Sequence, residues 1–135
     1  PAFTGKGFAE FAKCTLLTDI FLCSANAITE DGIVVNMDGT GNRVAAAIYG
    51  HEKTYYVVGI NKLCPTLEDA IWRVRNVAAP RNAQRKHKKT PCAIKGDKCY
   101  NCSSPERICN GLLIEYKKMT NIDMEVVIIG EELGL

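Results

Sequence analysis

Four of the seven cysteines fall within one short stretch, Cys92, Cys99, Cys102 and Cys109, and their spacing, C-x6-C-x2-C-x6-C, is almost symmetrical about the central pair. The residues between them, including Gly96, Asp97, Asn101, Ser103, Ser104 and Pro105, are turn formers rather than core formers, so the segment is expected to fold back on itself. A Cys-x-x-Cys turn aims two thiolates at one point. Six-residue arms then allow Cys92 and Cys109 to complete a tetrahedral sulfur site of the kind zinc takes in structural lobes. The same four thiolates suit an iron–sulfur cluster, and spacing alone does not separate the two. Two plainer readings stand beside the metal site. Disulfides are disfavoured by the odd number of cysteines, and unconnected buried thiols are disfavoured because a polar, turn-rich stretch is not where small apolar side chains collect.

At 135 residues, 47% of them hydrophobic, the chain is long enough for one core and too short for two. No apolar run approaches the roughly 20 residues a membrane helix needs, so a soluble, cytoplasmic protein is expected. Charge is unevenly placed. Residues 81–98 hold seven Lys or Arg against Asp97 alone, which leaves the rest of the chain net negative. Such a patch could meet nucleic acid, but the only aromatic beside it is Tyr100 and no recognition motif accompanies it. An anion-contacting or solvated surface is expected, with no nucleic-acid partner.

Periodicity gives a strand-rich α/β pattern. Ile20–Ser24, Gly32–Met37, Arg43–Tyr49, Thr54–Gly59, Gly111–Tyr116 and Met124–Gly130 read as strands, the second and third forming a hairpin across Asp38–Asn42. Asn26–Gly32 reads as turn chemistry. A helix starts at Thr66, with Asp69 in a near capping box and Leu67, Ala70, Ile71, Val74, Val77 and Ala78 at helical spacing. Pro80 is expected to end or kink it, with Arg81, Arg85 and Lys89 on one face of a second short helix. Phe8, Phe11 and Ala12 suggest a short helical face after Phe3 in the N-terminal stretch. The run Val126–Ile129 suggests a central parallel strand covered on both faces. Helices are too few for that, so cover from a second copy of the chain is expected. Trp72, Cys14, Cys23 and Cys64 are read as packing residues, Cys64 also standing near a possible site at a strand end. Neither His51 nor His87 has a neighbouring nucleophile.

The second informative stretch is Asn26–Arg43. Gly39 and Gly41 allow close approach of a ligand to backbone, with Thr40 and Asn42 between and beside them, and Arg43 offers a fork for a carboxylate or phosphate. Glu30, Asp31 and Asp38 are candidate catalytic acid/base groups. The dinucleotide fingerprint is absent, because Gly39-Thr-Gly41 lacks the third glycine and a strand is expected after it. Tight turns, with Asn26 and Asp38 bonding local backbone, would account for the same residues.

Asn26-Ala-Ile-Thr-Glu-Asp-Gly32, Asp38-Gly-Thr-Gly-Asn-Arg43, Gly59-Ile-Asn-Lys62, Arg75-Asn-Val-Ala-Ala-Pro80, Thr90-Pro-Cys92 and Gly130-Glu-Glu-Leu-Gly134 together resemble the LUD domain family of lactate-utilisation proteins, from about Cys14 onward. The resemblance implies a Rossmann-like sheet similar to that of ribose-phosphate isomerases, glucosamine-phosphate deaminases and CoA transferases, here truncated at the N-terminus. The sheet and helix unit would then span 14–91, the cysteine lobe 92–109 and the closing strands 110–135. It also implies a link to oxidation of L-lactate to pyruvate alongside iron–sulfur subunits. Three functions follow as expectations. The first is a redox accessory or subunit for a 2-hydroxy acid, its lobe holding zinc or a cluster. The second is an enzyme of CoA-transferase or sugar-phosphate-isomerase type binding an anion at Thr40–Arg43, with Glu30 or Asp31 as nucleophile or base. The third is a non-catalytic, zinc-stabilised interaction module.

Overall fold

A computed structural model describes residues 7–135, the side chain of Phe8 excepted. Phe3 and the Phe8 side chain therefore lie outside the described residues. Strands β1 (Ile20–Cys23), β2 (Ala27–Thr29), β3 (Val34–Asp38), β4 (Lys53–Gly59), β5 (Leu63–Cys64), β6 (Gly111–Glu115) and β7 (Asp123–Ile129) form two sheets. One is parallel, in the order β1-β4-β7, with Leu22 opposite Tyr55 and Tyr55 opposite Glu125. The other is mixed, in the order β5-β2-β3-β6, with β3 antiparallel to both β2 and β6 and β2 parallel to β5. The helices are α1 (Gly7–Cys14), α2 (Asn42–Ile48), α3 (Leu67–Arg73), α4 (Ala79–Arg85) and α5 (Pro91–Lys95). The architecture is α/β with one parallel and one mixed sheet, and the expected α1 face falls within a helix.

The mixed sheet is the middle layer, and its pleat shows why. Ile28 and Val34 point to one side, where they meet Ala47, Tyr56 and Val58, with Phe21, Met124 and Val126 packed around them. Ala27 and Val35, one residue along each strand, point to the other side and meet Ala70 and Val74 from the helical layer. Strands buried on both faces read as continuous apolar runs, and Val34 and Val35 are both fully buried.

Several local expectations need correction. Arg43–Tyr49 is a helix, not the second arm of a hairpin. Ala45, Ala46 and Ala47 favour helix over strand, and burying Ala46 and Ala47 lets α2 lie close to β1 and β3. β3 pairs instead with β2 before it and with β6 far on in the chain, with Met37 opposite Leu112. The turn expected at Asn26–Gly32 contains β2. Strand β7 is parallel as expected, but it is an edge strand, with Val127 and Ile128 exposed. Pro80 does not end the helix. The chain widens into a π turn over Val74–Ala78, where the Ala79 N–H bonds the Val74 carbonyl, and the proline falls in the first turn of α4, where no N–H is missed. Thr66 caps α3 as expected, its Oγ1 accepting from the Asp69 N–H at 3.1 Å. Trp72 and Cys14 are exposed rather than packed. The outward face of the parallel sheet presents Ile20, Leu22 and Val127 to solvent.

One buried polar bond joins the two sheets: Tyr56 Oη on β4 donates to Glu115 Oε2 on β6 at 2.8 Å. Burial pushes the Glu115 carboxyl above its usual range, and the Tyr56 hydroxyl only partly opposes this. The folded state thus holds this proton more tightly than the unfolded chain does. The stability it contributes is present at acid pH and is lost as pH rises above about 4.5 and through the raised folded value. Glu115→Gln keeps an acceptor for Tyr56 and removes the titration. Denaturant midpoints measured across pH should fall less steeply on the alkaline side for the variant than for the parent, and two parallel curves would refute the assignment.

Candidate functional site

Arg43 organises the site. Its Nη1 donates to the Ser24 carbonyl at 3.0 Å and to Asn36 Oδ1 at 2.7 Å, and its Nη2 to Asn26 Oδ1 at 3.1 Å and the Met37 carbonyl at 2.8 Å. Its Nε lies 3.5 Å from Asp38 Oδ2. The fork is thus turned inward, tying the end of β1, the start of β2 and the end of β3 together. Asn26 and Asn36 complete this hub: the Asn26 N–H donates to Asn36 Oδ1, and Asn26 Oδ1 accepts from the Met37 N–H. Arg73 adds a bond from Nη1 to the Asn26 carbonyl at 2.6 Å.

The turn that follows is shaped by Asp38. Its Oδ1 accepts from the N–H groups of Thr40, at 3.1 Å, and Gly41, at 3.2 Å. Burial alone would raise the Asp38 carboxyl, but the Gly41 and Thr40 N–H groups and the Arg43 cation outweigh it and hold the group below the usual carboxylate range. Gly41 sits at φ 89, open to glycine and strained for other residues, and starts α2. A helix does follow the Gly39-Thr-Gly41 turn, contrary to the expected strand, and Asp38 takes the N–H groups of Thr40 and Gly41 just before it.

Beside this turn lies a cleft of about 1050 Å³. It is lined by Asp38, Gly39, Thr40, Asn42 and Arg43 on one wall and by Asn82, Arg85, Lys86, Lys88 and Arg107 on the other. The residues entering it from Asn26, Asp38 and Gly134 follow the carboxyl ends of β1, β3 and β7, the side of an α/β sheet where ligands bind. Five cationic side chains face one carboxylate side chain here. Among the described residues, no salt bridge involves Arg85, Lys86, Lys88 or Arg107. The basic run of 81–98 and the glycine turn, read separately in the sequence, are opposite walls of one cleft.

Glu30 and Asp31 are not brought into it. They are exposed in the β2–β3 turn, at the far end of β3 from Asp38, where the Thr29 hydroxyl donates to the Asp31 carboxylate. Lys62 is another group that sequence reasoning passed over: it is buried, donates from Nζ to Ser24 Oγ at 3.0 Å, and its pKa is lowered by burial and then by Arg73 and Arg43. Its place at the end of a strand was the available signal. Cys23 and Cys64 are packing residues as expected. Burial pushes the Cys23 thiol up to about 12 and raises Cys64 as well, so neither is a ready nucleophile.

The cysteine lobe is joined to the glycine turn by its last residues. The Asn110 N–H donates to the Asp38 carbonyl at 2.9 Å and its Nδ2 to the Gly39 carbonyl at 3.1 Å. Cys92, Cys99, Cys102 and Cys109, all free thiols, line one small cavity behind the cleft. Among the described residues, no three His, Cys, Asp or Glu side chains are arranged as a donor set for a metal ion. Nor is any described helix long and apolar enough to cross a membrane.

Fold and site together define an α/β domain with a cationic cleft where a mixed sheet, a helix and a cysteine-rich lobe meet. The family model for the LUD domain matches residues 7–129, and the chain belongs to the LUD domain family, which is linked to lactate utilisation. No curated protein and no solved structure matches it.

A Cβ at Gly39 would lie 2.7 Å from the Ile108 carbonyl oxygen, a backbone atom that cannot step aside alone. Gly39→Ala should therefore push the lobe from the turn. Hydrogen exchange at Asn110 should rise, with a stability loss of about 1–3 kcal/mol; unchanged exchange would show that the contact does not hold the lobe in place.

Proposed function

We propose that this LUD domain binds a small organic anion of the 2-hydroxy-carboxylate class in the cleft. It would serve lactate oxidation as an accessory or subunit beside iron–sulfur redox partners, on a Rossmann-like framework of the isomerase and CoA-transferase kind. The observation that carries this reading is the cluster of Arg85, Lys86, Lys88 and Arg107, which line the cleft without a salt-bridge partner among the described residues. Positive charge that a chain leaves uncompensated in a concave wall attracts and orients anions. Asp38, the one carboxylate side chain in the cleft, is committed to its own turn and to Arg43. With Glu30 and Asp31 elsewhere, the cleft is better equipped to hold a substrate than to move its protons. A second reading, a CoA-transferase-like or isomerase-like enzyme, draws support from the cleft's volume, which exceeds what a three-carbon acid fills.

Calorimetry with L-lactate, pyruvate, CoA and ribose 5-phosphate separates the two. We expect the carboxylates to bind, more weakly as salt is raised, and the Arg85→Ala/Lys86→Ala/Lys88→Ala variant to lose affinity by at least about tenfold. Preferential binding of the phosphate-bearing ligands would move the assignment to the second reading, and equal binding of the neutral analogue lactamide would sink both.

The uncovered outward face of the parallel sheet supports association with a second copy. Light scattering should show a dimer that Leu22→Glu converts to a monomer. A parent chain that stays monomeric at micromolar concentration excludes this contact.

A further inference from the structure

The lobe behind the cleft has no core of its own. From Pro91 to Asn110 no residue is buried, and from Gly96 to Asn110 the backbone forms neither helix nor strand. Loops of this length in a compact domain are held by something. What the lobe does have is four half-buried thiols lining one cavity of about 20 Å³, room for little more than one water-sized sphere. The central turn is already folded for sulfur. Asn101 takes a left-handed conformation, φ 45, and its N–H donates to Cys99 Sγ at 3.3 Å, so the spacer bends and Cys99 and Cys102 border the same space. Around them stand Arg75, whose Nη2 lies 3.9 Å from Cys99 Sγ, and Arg107, whose Nη1 and Nε donate to the carbonyls of Cys102 and Cys109 at 2.8 and 2.9 Å.

From these observations we infer that Cys92, Cys99, Cys102 and Cys109 form a site for a single thiophilic divalent ion of the zinc class. This goes beyond the cleft reading and does not depend on it. The cavity has room for one ion among the four sulfurs. Four thiolates around one dication carry a net negative charge, and Arg75 and Arg107 line that cavity and offset it. The sulfurs border the cavity without converging on one point, and the turn-forming arms allow the ion to draw them together. Binding displaces the thiol protons to solvent and supplies folding energy that the lobe's own packing does not.

The test uses the full chain, purified without oxygen, stripped with a chelator and titrated with Co(II). One equivalent should saturate the visible absorption of tetrahedral cobalt–thiolate, Zn(II) should displace it, and X-ray absorption should show a shell of sulfur at about 2.3 Å. The Cys99→Ser/Cys102→Ser variant should lose the signal, while Cys14→Ser, whose thiol is exposed outside the lobe, should keep it. Should the double variant not fold, the parent titration decides alone. No saturation at one equivalent, or a preparation holding iron with equimolar sulfide, overturns the inference. A signal that survives the double variant overturns it equally.

Discussion

A guanidinium has five N–H donors and no acceptor, so burying one against backbone requires several chain segments to bring oxygens to the same place. At Arg43 those oxygens come from Ser24, Asn26, Asn36 and Met37, with Asp38 nearby. The two sheets, the start of α2 and the turn that forms one wall of the cleft all depend on that meeting. The bonds to Asn36, Asn26 and Met37 are partly buried, and losing one partner leaves a guanidinium N–H or an oxygen short of its hydrogen bond as well as removing the bond itself. The hub also explains why the cleft's positive charge without a salt-bridge partner comes from Arg85 at the end of α4, from Lys86 and Lys88 after it, and from Arg107 in the lobe. The arginine nearest the glycines is already spent on architecture.

What could be seen in the sequence was what short-range chemistry decides. Thr66 and Asp69 fix the start of α3 by bonds within four residues, and the β-branched runs of β4 and β7 announce strands wherever they pair. Asp38 and its glycines were legible as a tight turn for the same reason. What was hidden depended on distant partners. β3 pairs with β6 across the whole helical layer, and nothing near Met37 says so. β2 is a strand because β3 and β5 flank it, although its neighbours Asn26, Glu30, Asp31 and Gly32 are turn residues. α2 was obscured by a different ambiguity: between two glycines, Val44, Ala45, Ala46, Ala47 and Ile48 satisfy both periods, and the alanines that favour helix also read as an apolar run.

The site divides along the same line. Its two walls could each be named from the sequence, the glycine turn by motif and the basic run by charge, but their opposition across one space is a product of the fold. Arg107 lay outside the basic run and carried no motif. It enters through Cys102 and Cys109, whose carbonyls hold its side chain. Glu30 and Asp31 show the converse, since adjacency to Asp38 in a hairpin sequence puts them at opposite ends of the strand.

Arg107 belongs to both cavities at once. The residue lines the cleft and the cysteine space, and its guanidinium bonds end on the backbone of the lobe. Whatever shifts the carbonyls of Cys102 and Cys109 therefore also moves a positive charge beside the cleft, so a single side chain ties the backbone of the lobe to the cleft wall.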